Sequence, residues 1–360
     1  MLVGLGLGFR APLTRDNLRF AKQAGASHIV ASLLHGAPVN AVTGEHGGNR
    51  YVVSRSRPDR WSSEALIELR RSIEAEGLRL AAVESLEPAD WSDVLLDGPR
   101  RQEQIAGLQQ IVRNLGAAGI PALGYNFSLA GVWGRQLSPV ARGGAVTWQF
   151  NDPEQPPIPQ GMVWNQVYDE TAFASAGEIG VGQVSTEELW RRYGEFLKEL
   201  VPVAEDSGVK LALHPEDPPL PTLRGTPRLV YTPELYDRAL ELKPSPNNCM
   251  LVCIGTLSEM PGSDIYSVMD HLCRTKKIAY VHYRNVRGRA PGYREAFVDD
   301  GDTDMLGVLR ILARGSYEGV LVPDHTPELD CEAPWHAGMA YALGWIRASL
   351  NALGALSDGA

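Results

Sequence analysis

Cysteine is scarce in this chain: four in 360 residues, at positions 249, 253, 273 and 331, with no CxxC pair among them. A chain of this length buries a core large enough to need no disulfide framework, so the pattern points to a reducing cytoplasm. No run of 18 apolar residues occurs, which predicts no membrane-spanning helix. The opening "MLVGLGLGFRAPLTRD" lacks a basic segment followed by a longer apolar stretch and a cleavage site, so no signal peptide is expected. Basic excess is also missing. Lys and Arg number 34 against 43 Asp and Glu, and a net charge of -9 argues against a nucleic-acid-binding surface. Low-complexity tracts and short internal repeats are absent.

What remains is ordinary globular composition, 44% hydrophobic and 21% charged. Short apolar runs alternate with longer amphipathic segments. The runs are "VGLGLG" (3–8), "HIVASL" (28–33), "LRLAAVES" (78–85), "PALGYNF" (121–127), "VKLALHP" (209–215), "CMLVCIG" (249–255), "IAYVHYR" (278–284) and "GVLVPDH" (319–325). Continuous apolar runs suit strands covered on both faces. Between them, Thr14 and Gly25 bracket one predicted helix, and Ser185 with Glu188 has the spacing of a capping box. Eight strand–helix units predict a (β/α)8 TIM barrel, with a doubly wound open sheet as the alternative. The expected organisation is one barrel domain over 1–350 and a short tail over 351–360. Long insertions over about 36–60 and 128–182 would lie at the C-terminal mouth, where loops shape a substrate pocket.

Polar residues fall at the ends of the last four runs. His214, Cys253, His282 and Asp324 each close a strand on the same rim, so the four could converge on one ion. Imidazole, thiolate and carboxylate suit a first-row divalent metal. Taken singly, each has a plainer role: a hydrogen-bonded histidine, a small buried cysteine, a capping aspartate. Glu84, Tyr125 and Asn126 end the third and fourth strands and are candidates for substrate hydroxyls, although Tyr125 could equally pack the upper barrel. Trp133 and Trp148, on mouth loops, could stack on a sugar or plug gaps. The stiff "PEDPP" after His214 suggests that Glu216 or Asp217 orients an imidazole.

Several ordered motifs resemble those of the D-mannonate dehydratases. "HPEDPP" (214–219) and "GTPRLV" (225–230) are similar to that family's HP(D/E)DPP and PRIV segments. "VESL" (83–86), "LGYNF" (123–127) with Trp133 and Arg135, "VCIGT" (252–256), "VHYRNV" (281–286), "GDTDM" (301–305) and "PDH" (323–325) follow in the family's order. The resemblance implies a TIM barrel, metal ligation by His214, Cys253, His282 and Asp324, and Mn2+ or Fe2+ as the ion. It implies loss of water from a sugar acid to give a 2-keto-3-deoxy acid. It also casts His325 in the acid–base chemistry, with orientation of a ligand as its plainer role.

The departures are specific. Val322 stands where the family has an arginine, Thr326 replaces a glycine, and Leu220 replaces another arginine. His336 falls where the family has a catalytic tyrosine, and an imidazole can still move protons. His35 lies near a family histidine. Arg228 and Arg284 become the candidate anion clamps for the substrate. These changes keep two other readings open: a metal-dependent sugar isomerase or epimerase on the same barrel, or a non-catalytic sugar-binding paralogue. The expected partners are a small sugar acid and further copies of the chain as a homo-oligomer.

Overall fold

A computed structural model describes residues 1–34, 44–46, 49–175 and 181–357. Eight parallel strands close into a barrel: β1 (Leu2–Leu7), β2 (His28–Ser32), β3 (Arg79–Glu84), β4 (Ala122–Tyr125), β5 (Lys210–Leu213), β6 (Asn248–Cys253), β7 (Ile278–His282) and β8 (Val320–Val322). Closure is direct, with Leu2 and Val3 of β1 in register with Val320 and Leu321 of β8. The open-sheet alternative is thereby excluded.

Strand alternation sorts the side chains into two cores. Val30, Ala82, Ala122, Ala212, Leu251, Tyr280, Val320 and Val322 form a small cluster inside the barrel. Their neighbours, including Ile29, Val83, Leu123, Leu211, Val252 and Leu321, join the large core beneath the helices. Small residues on some strands leave room for Tyr280. A Cβ on Gly124 would lie 2.1 Å from the Tyr280 hydroxyl, so only glycine fits there.

The principal helices are α1 (Arg15–Gln23), α2 (Ser63–Glu74), α3 (Arg101–Ala117), α4 (Thr186–Ser207), α5 (Glu234–Glu241), α6 (Ile265–Arg274), α7 (Met305–Arg314) and α8 (Pro334–Ala352). Thr14 caps α1 by accepting from Asn17 N, and Gly25 follows its end at φ +95°. Ser185 caps α4 by accepting from Glu188 N at 3.1 Å. The return half of that box is not made, because the Glu188 carboxylate accepts from Arg191 and Arg192.

Above the mouth, residues 136–138 and 147–151 pair with a hairpin over 285–289 and 292–296 in one four-stranded sheet. That hairpin follows β7 and carries alternating side chains around an "APG" turn, a signal overshadowed in the sequence by the longer insertions. A second small mouth sheet joins Asn49–Val53 to Gln166–Val167.

Candidate metal centre and active-site cavity

Three of the barrel strands deliver potential ligands directly. His214 follows β5, Cys253 is the last residue of β6 and His282 the last of β7. One ligand atom from each lies within 4.8 Å of the others. Asp324, two residues past β8, sits beside them, its Oδ2 3.4 Å from His282 Nδ1. It holds a left-handed backbone at φ +61°, unfavourable for a non-glycine residue.

The ring orientations are fixed from behind. His214 Nδ1 donates to the carbonyl of Pro215 at 2.6 Å, leaving Nε2 for the cluster. His282 Nε2 donates to Glu84 Oε2 at 3.2 Å, and the same oxygen accepts from the Tyr280 hydroxyl at 2.9 Å. His282 Nδ1 is buried and makes no hydrogen bond among the described residues. An aimed imidazole nitrogen without a donor or acceptor is what a metal ligand requires.

Charge favours a cation. Burial opposes ionisation of Cys253, but the Arg284 guanidinium and the two histidines outweigh it and hold the thiol well below its usual range. Burial likewise disfavours the Asp324 carboxylate, yet His282, His325 and Arg284 hold its pKa down. A thiolate and two carboxylates, from Cys253, Asp324 and Glu84, thus surround one small space. The donor set fits a divalent metal of the first transition row.

A cavity of about 810 Å³ opens onto this cluster. His214, His282, Asp324, His325, Glu84, Asn126 and Asp217 line its polar part, together with Arg10 and Arg135. Trp133, Trp148, Trp164 and Trp335 form its aromatic walls. His325 donates through Nδ1 to Glu295 Oε1 at 2.7 Å. Arg135 pairs with Glu295 at 2.7 Å and stands 3.5 Å from Asp217.

Mannonate dehydratase (UxuA) is the family whose model matches residues 17–347. The chain belongs to that family. It is therefore a sugar-acid dehydratase, a hydro-lyase. A mannonate dehydratase of Streptococcus pneumoniae (strain 70585) is 29% identical over 338 residues, covering 89% of this chain and 92% of its own length. A crystal structure of mannonate dehydratase from Streptococcus suis serotype 2 superposes with a TM-score of 0.76 at 26% identity, covering 100% of this chain and 96% of that one. The structure of an L-ribulose 3-epimerase, 15% identical with a TM-score of 0.57, covers 98% of this chain and 95% of its own and shares the fold.

Within this dehydratase fold, several residues expected at the site lie elsewhere. Tyr125 is turned outward by strand alternation, since Gly124 faces the barrel interior. Its hydroxyl meets that of Tyr193 on α4 at 3.2 Å and its ring packs on Phe196, so it offers nothing to a substrate. Arg228 is buried against Glu216 at 2.7 Å and donates to the carbonyls of Gly131 and Asp217. It ties mouth loops together and is no anion clamp. Arg284 is equally buried and committed: it donates to Glu259 and Asp217, each at 2.7 Å, and its Nε is 3.3 Å from Asp324. It steadies the ligand cluster from below.

His336 is also misplaced as a catalyst. Its Nε2 bonds to Asn17 Oδ1 at 2.9 Å and its ring stands edge-on to Phe20 and Trp335. On α8 it is Trp335, one residue earlier, that reaches the cavity. Neither acid of "PEDPP" orients an imidazole. Glu216 holds Arg228, while Asp217 accepts from Arg284, Tyr293 and Thr256. Backbone carbonyl 215 and Glu84 do that work instead. His35 lies outside the described residues. The Trp133 face is covered by the Arg224 guanidinium at 3.9 Å, and the Trp148 ring lies under Arg10 at 5.1 Å.

Arg10, Glu295 and the cavity role of Arg135 were missed. Arg135 stood in a motif, and Arg10 lies just beyond the first strand, where a strand-end search for cations would have found it. Glu295 sits in the unforeseen hairpin.

Proposed function

We propose that the chain dehydrates D-mannonate or a closely related aldonate to a 2-keto-3-deoxy acid, using a divalent cation, Mn2+ or Fe2+, held by His214, Cys253, His282 and Asp324. The convergence of His214, Cys253 and His282 ligand atoms within 4.8 Å carries this reading. Bound there, the cation supplies positive charge against that which builds on the substrate as its C2 proton leaves. Glu84 and the Pro215 carbonyl keep the two imidazoles aimed. His325 moves the proton: Nδ1 is committed to Glu295, leaving Nε2 to take the C2 proton and return it to the C3 hydroxyl, which departs as water. Asn126, lining the same cavity, is assigned to a substrate hydroxyl.

The proposal includes a single barrel domain over 1–350 with its mouth insertions, assembly as a homo-oligomer, and the cytoplasm as the compartment, in keeping with four unpaired thiols. The test combines elemental analysis with a screen of hexonates, pentonates and sugar lactones. A 2-keto-3-deoxy product from at least one acid is expected. Exchange of C–H for solvent deuterium without that product would replace the dehydratase by an epimerase.

A further inference from the structure

Among the described residues Arg10 is the arginine of the cavity wall with no ion pair. It follows β1 and lines the same cavity as the ligand cluster. Arg135, by contrast, is neutralised by Glu295 and Asp217. Among the described residues the Arg10 Nε is buried without an acceptor, and the guanidinium stands over the Trp148 ring at 5.1 Å. Burial, the largest influence on it, pushes its pKa down, while Glu295, Asp324 and Glu328 attract it from beyond ion-pairing distance.

Further unpaired donors surround this cavity. Trp148 Nε1, Trp335 Nε1 and Ser32 Oγ are each buried without a hydrogen bond among the described residues, and all three residues line it. A buried donor left unpaired is destabilising, and more so when charged. A guanidinium on the cavity wall without an ion pair among the described residues fits a ligand that brings acceptors. A carboxylate is acceptor-only, and guanidinium recognises it with directional, charge-assisted bonds.

We propose that Arg10, backed by Trp148, binds the carboxylate of the substrate and sets the preference for an acid over the neutral polyol. The inference rests on the sugar-acid reading above and names the residue that recognises the acid. Trp148 covers one face of the guanidinium and limits its hydration, which strengthens its attraction for an anion in the cavity.

Calorimetry on the manganese-loaded protein, with D-mannonate and D-mannitol as probes, tests it. The wild type should bind the acid more tightly than the polyol. Arg10→Gln should cut that acid-to-polyol ratio by roughly 10- to 100-fold at unchanged metal content and melting temperature. Arg10→Lys, which keeps the charge and loses the fork, should retain part of it. If Arg10→Gln does not fold, Arg10→Lys decides, and must lower the ratio. An unchanged ratio in the deciding variant, or a wild type without preference for the acid, overturns the subsite. Turnover without Arg10 dependence sinks the subsite and leaves the dehydratase. An Arg10-dependent preference without a keto-deoxy product leaves the subsite and sinks the assigned reaction.

Discussion

At the scale of single residues, the site is a set of side chains whose freedom has been removed. His214 has one nitrogen on a backbone carbonyl and His282 one on Glu84, so each can turn only its other nitrogen toward Cys253. His214→Ala and Cys253→Ala are therefore expected to abolish metal retention, measured by elemental analysis of the folded variants. A full complement of ion in either would remove that residue from the ligand set. His336 behaves oppositely. His336→Phe should leave kcat within about twofold and lower stability by about 1 kcal/mol, the worth of its bond to Asn17. A tenfold loss of kcat with normal folding would return His336 to the chemistry.

At the scale of elements, the barrel interior connects packing to the metal centre. Tyr280 reaches Glu84 only because Gly124 lacks a side chain. Gly124→Ala should displace the Tyr280 hydroxyl, loosen Glu84 behind His282 and weaken metal binding by about tenfold or more. Gly107, inside α3 with nothing within 4 Å of its would-be Cβ, provides the control. Gly107→Ala should raise stability by roughly 0.5–1 kcal/mol and leave metal affinity alone. Equal behaviour of the two variants in metal titrations would break the link between Gly124 and the site.

The eight strands were legible because continuous apolar runs end at turn residues, a signal that needs no tertiary information. The ligands were legible because they share one rim position. Tyr125 shows the limit: the last residue of a strand points inward or outward according to register, and only the placement of Gly124 against Tyr280 decides it. Arg228 and Arg284 were misread for another reason. Whether an arginine meets a substrate or a carboxylate of its own chain depends on residues distant in sequence, here Glu216, Glu259 and Asp217.

At the scale of the whole molecule, Glu295, Asp217 and Asp324 are buried acids held ionised by buried bases, while burial pushes Glu259 up despite Arg284. Burial alone would raise the Glu295 pKa, but His325, Arg135 and Arg284 bring it down from 4.5 to about 2. A carboxylate depressed on folding contributes stability that is complete above its unfolded pKa and lost as pH falls through the folded one. For Glu295 the contribution is on the order of 3 kcal/mol, present above about pH 4.5 and declining toward pH 2. Acid titration of melting temperature should fall more gently in Glu295→Gln than in the wild type over that window. Parallel curves would show that another group governs the acid limb.

The sheet over the mouth has one more consequence. Its strands come from the segment after β4 and from the hairpin after β7, which pair through residues 149–151 and 292–294. Neither insertion is an independent cassette. A chimera that imports one from a relative would leave the recipient's other strand with an unmatched edge, so new specificities on this scaffold have to be transplanted as a pair.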